Sequence, residues 1–131
     1  MMKTLFLSVV LIFASFDLAA AQGTRGTERP EYATAAQALQ GLRAKPDVKI
    51  SVQSGWTVIE DRSTLSVWSF PPVGHRAYPT AIQRKVVQEG SNIFVKMNVL
   101  CEAPKPDCDA VVAEFGKLNE RVRDDLNSKT R

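Results

Sequence analysis

The 131-residue chain has one histidine and two cysteines. A tetrahedral metal site needs four suitable ligands, and His75 with Cys101 and Cys108 does not reach that number, so neither a metal nor another cofactor is expected. The Cys-x-x-Cys spacing of dithiol redox motifs is absent. No nucleophile or carboxylate stands at a recognisable spacing from His75, which argues against a catalytic constellation. No apolar run reaches the ~20 residues needed to cross a bilayer. Blocks of like charge are missing too. Lys117, Glu120, Arg121, Arg123, Asp124 and Asp125 interleave, the pattern of a solvated helix face, so a nucleic-acid partner is not expected. Repeats and low-complexity segments do not occur.

What is present begins with an N-terminal stretch that reads as a secretory signal peptide. Lys3 supplies the positive start, Leu5 to Phe16 the apolar run, and Ala19-Ala20-Ala21 a small-residue cleavage site. Cleavage after Ala21 leaves 110 residues and the formal charge of +3 unchanged. That is one small domain, here expected over 30–127 after a disordered leader at 22–29 and before a frayed tail at 128–131. No cysteine near the cleavage site offers a lipid attachment point. The expected location is the periplasm or the outside of the cell, with no membrane span in the mature chain. The pI of about 9.0 favours anionic cell-envelope material or a protein as partner; oligomeric state is not legible.

Pro30 to Ala44 carries a helical stripe of Tyr32, Ala35, Ala36, Leu39 and Leu42, with Gln37, Gln40 and Arg43 on the other side. Pro30 suits a first turn, Thr27 is a candidate cap, Gly41 weakens the interior and Lys45-Pro46 ends the helix. From Asp47 the period becomes two. Val48, Ile50 and Val52 alternate with polar residues, and after Ser54-Gly55 the run resumes at Trp56–Glu60, as a tight hairpin or, less favoured, a bulged long strand. Thr64–Phe70 is apolar on both faces, the mark of a central strand covered at least in part on both sides. Thr80–Gln88 and Asn92–Cys101 form a hairpin around Glu89-Gly90-Ser91.

A second helix follows, with Asp107 as its expected cap and Val111, Phe115, Leu118, Val122 and Leu126 as its stripe. The order implies an α+β fold, an antiparallel meander of four or five strands with an N-terminal and a C-terminal helix packed on one face as a two-layer sandwich.

Cys101 and Cys108 bracket Glu102–Asp107, and in an exported chain they are expected to form a disulfide joining the last strand to the second helix. Phe70–Pro79 lies between two strands and holds three of the seven prolines and His75. It reads as a stiffened loop. His75, Arg76, Tyr78, Trp56 and Arg84 are the candidate binding residues around it, Tyr78 and Arg76 being the best placed for exposure and Trp68 for the core. The expected role is non-enzymatic binding; the alternatives are inhibition of a secreted or periplasmic enzyme by the loop, or a small hydrolase using His75. The segment Gln88–Met97 resembles the inhibitory hairpin of cystatins, Q-x-V-x-G, only at Gly90. Val86 and Gln88 occupy the glutamine and valine positions, and no family is assigned on it.

Overall fold

The computed structural model describes residues 31–129. The expected signal peptide and leader, the expected helix start at Thr27 and Pro30, and the last two residues of the expected tail lie outside the described residues.

Helix α1 (Ala35–Arg43) begins five residues after Pro30, where the sequence reading starts it. Thr34 is extended and its side chain accepts the Gln37 N–H, which satisfies one of the free donors of the first turn. The buried stripe is Ala35, Ala38 and Leu42, with Leu39 at its margin, while Ala36 points outward. Five strands follow: β1 (Val48–Gln53), β2 (Trp56–Asp61), β3 (Ser66–Phe70), β4 (Thr80–Glu89) and β5 (Asn92–Cys101). Helix α2 (Lys105–Lys129) closes the chain. The sheet is an antiparallel meander in the order β1-β2-β3-β4-β5.

Turn chemistry sets the register. Ser54 and Gly55 both have positive φ, 49° and 82°, the requirement of a two-residue type I′ hairpin, and Gln53 faces Trp56 across it. Leu65, read as part of a strand, instead sits in the β2–β3 turn with φ 54° and is 77% exposed. The buried Asp61 carboxylate organises that turn by accepting from the Ser63 N–H and hydroxyl.

The fold class is the expected α+β meander with a helix at each end, but the two helices differ from the sequence reading in placement. Ala81 and Ile82 are neighbours in β4, both fully buried, and adjacent strand residues point to opposite faces. Ala81 belongs to the cluster beneath α1, with Ile59, Trp68 and Phe70. Ile82 belongs to the cluster beneath α2, with Val111, Met97 and Phe115. Each helix therefore covers its own face, and the two-sided apolar pattern around Trp68 is the reason one face was not enough. Helix α1 is only nine residues long, about 14 Å. It leaves the apolar side of β1 largely bare, with Ile50 at 45% and Val52 at 71% exposure. On α2 the deepest positions are Val111 and Asn119, and the helix continues through Ser128 and Lys129, both bonded to Asp125.

Candidate functional site

The loop between β3 and β4 is held from within and from both sides. The Pro72 carbonyl accepts the His75 N–H at 3.1 Å, the His75 carbonyl accepts the Tyr78 N–H at 2.9 Å, and His75 Nδ1 accepts the Ala77 N–H at 3.0 Å. Thr80 donates its hydroxyl to the Ala77 carbonyl. Ala77 is fully buried in the cluster under α2.

The candidate residues separate onto different sides. His75 packs edge-on against Trp56, ring centres 5.0 Å apart, and Trp56 in turn packs on Phe115 of α2. Arg76 reaches Asp107 at 2.8 Å; Asp107, expected to cap α2, instead sits inside its first turn and takes this ion pair. Arg84 lies beneath α2 with its guanidinium carbon 5.4 Å from the Phe115 ring centre. Its Nε is buried without a hydrogen-bond partner, and burial holds its pKa below the ordinary arginine value. These four side chains knit the loop end of the sheet to α2. Tyr78 is on the other side, 45% exposed. The structure thus brings His75 to Trp56 but does not bring Tyr78 to Trp56 or Arg84.

Where Tyr78 lies, the loop and α1 form the two walls of an open groove of about 470 Å3. Thr57 and Phe70, paired across β2 and β3, form part of its lining. The loop side is Pro71, Pro72, Val73, Tyr78 and Pro79. The helix side includes Ala36, Leu39, Gln40 and Arg43. Val73 is 81% exposed. Of the candidate binding residues only Tyr78 lines this groove; Gln40 and Arg43 read from the sequence as the side of α1 away from its apolar stripe. Their i, i+4, i+7 spacing with Ala36 was the available signal.

Glu102 anchors the end of this groove. Its carboxylate accepts the Ala35 N–H at the start of α1 at 3.1 Å, where the helix dipole favours negative charge, and its own N–H donates to the Pro79 carbonyl at 3.0 Å. The residue before it, Cys101, forms the disulfide with Cys108, Cα to Cα 5.8 Å. Helix, loop, last strand and second helix meet at this one corner.

Among the described residues no group of three or more His, Cys, Asp or Glu side chains is placed to hold a metal ion, and no helix is long and apolar enough to cross a membrane. No protein-family model matches the chain, and no curated protein or solved structure matches it either.

Proposed function

We propose that the protein is an exported, non-enzymatic binding protein that holds a protein partner in the groove between α1 and the proline-bracketed loop. The observation that carries this reading is the groove itself: its loop wall is fixed by prolines and internal hydrogen bonds and its helix wall is tied to the same corner by Glu102. Little chain entropy remains to be lost on binding, so apolar contact converts efficiently into affinity. The disulfide supports the exported part of the reading, since such bonds persist in oxidising compartments such as the periplasm.

The test uses three full-length baits on one periplasmic extract. Ala36→Glu places a charge in the groove and, lying in the first turn of α1, is favoured by the helix dipole, so the fold is retained. Val112→Glu puts the same charge on exposed α2 surface. A protein retained by the parent and by Val112→Glu but lost from Ala36→Glu is the expected result. Equal retention by all three baits removes the groove from the account.

A further inference from the structure

Arg43 is the only charged side chain lining the groove among the described residues, and it has no ion-pair partner there. The rest of the lining is apolar apart from Gln40, Thr57, Thr80 and the Tyr78 hydroxyl. The groove is not an enclosed cavity. Its loop wall runs out into the exposed Val73, and beside Thr57 the β1 partner Val52 extends the apolar surface. An occupant must therefore present apolar groups to the prolines and Leu39, a carboxylate to Arg43, and one side to water.

From this geometry we infer that the groove takes an extended segment of a partner protein in which an acidic residue stands beside apolar or aromatic residues, the carboxylate pairing with Arg43. The inference rests on the groove being the binding site. A peptide in extended form meets all three demands, because alternate side chains enter the groove while the backbone stays solvated. A compact small molecule suits a cleft that buries most of its surface, which this open groove does not. Arginine suits the role, since its planar fork bonds a carboxylate through two parallel N–H donors.

The test is selection of a phage-displayed random heptapeptide library on the immobilised full-length protein, run in parallel on Ala36→Glu, Arg43→Gln and Arg43→Glu, each checked for an unchanged melting temperature. The expected result on the parent is enrichment of peptides that combine Asp or Glu with Leu, Ile, Phe or Trp. On Arg43→Gln the acidic enrichment falls at least tenfold, on Arg43→Glu it gives way to Lys or Arg, and on Ala36→Glu the parent's peptides are lost. Peptides that are lost on Ala36→Glu but show no acidic preference, or keep it on both Arg43 variants, overturn the carboxylate pairing and leave the groove as the binding site. Peptides that persist on Ala36→Glu, or a library from which nothing is enriched on the parent, overturn the groove reading and this inference with it.

Discussion

The ring of Tyr32 fills the space beside Gly41: a Cβ added there would meet Tyr32 Cε1 at 2.6 Å. The ring is held in place by an edge-on contact with Trp68, centres 5.7 Å apart, so it cannot swing away without losing that packing. The glycine that weakens α1 as a helix is what allows Tyr32 to close over it. Exchanging glycine for alanine inside a helix ordinarily gains about 1 kcal/mol. Here Gly41→Ala is expected to give no gain in the parent and the full gain in a Tyr32→Ala background. A double-mutant cycle by urea denaturation measures the coupling; equal effects of Gly41→Ala in both backgrounds contradict it.

Acid should loosen the β2–β3 corner. Burial by itself would raise the Asp61 pKa, but hydrogen bonds from Lys45, Ser63 and Thr64 and the Lys45 charge outweigh it and bring it from 3.8 to about 2. The Lys45 ammonium is 2.6 Å away. Between those two values the unfolded chain binds more protons than the folded one, so stability rises with pH across the window. It is fully present above about pH 4 and lost as pH falls through about 2. The linked stability is about 2 kcal/mol. Melting temperatures of the parent and Asp61→Asn between pH 5 and pH 2 check this, the variant being expected to show the shallower fall. Parallel curves contradict the assignment.

The disulfide closes a loop with a sequence separation of seven. In the chain-entropy account such a short loop contributes about 2.5 kcal/mol. The Cys101→Ser, Cys108→Ser double variant should lose an amount of that order in urea denaturation, while the parent isolated under oxidising conditions should show no titratable thiol. Free thiols in that sample would remove the bond from the account.

Arg84 is a cation under a helix, its Nε unpartnered and its guanidinium over the Phe115 ring. Replacing a half-buried, unpartnered charge by an apolar side chain of similar shape is often neutral or stabilising, whereas truncation leaves a void. Arg84→Met is expected to match or exceed the parent's stability and Arg84→Ala to fall below it by about 1–3 kcal/mol. If Arg84→Met falls as far as Arg84→Ala, the guanidinium itself stabilises the fold.

Much of the meander was legible because its signals are local. Ser54-Gly55 and Gly90-Ser91 fix two registers through residues that tolerate positive φ or a tight turn, and β5 alternates without a break. The placement of the helices was less legible, since a stripe of apolar residues states that a helix is covered but not which sheet face covers it. Trp68 and Ile82 held that information only once the register joined them. Leu65 was misread because leucine rarely adopts positive φ, and Asp107 because the partner that draws it away, Arg76, is 31 positions distant. Of the residues that line the groove only Tyr78 stood among the candidates. Arg43 and Gln40 read as solvent-facing until the loop is folded against their side of α1.

Site-specific photocrosslinking tests the central claim most directly. A benzophenone side chain replaces either Val73 at the rim of the groove or Val112 on α2, and the protein is irradiated in the intact cell envelope. The account predicts a covalent adduct with one protein partner from position 73 and none from position 112. An adduct formed equally from both positions, or from position 112 alone, would contradict binding in the groove.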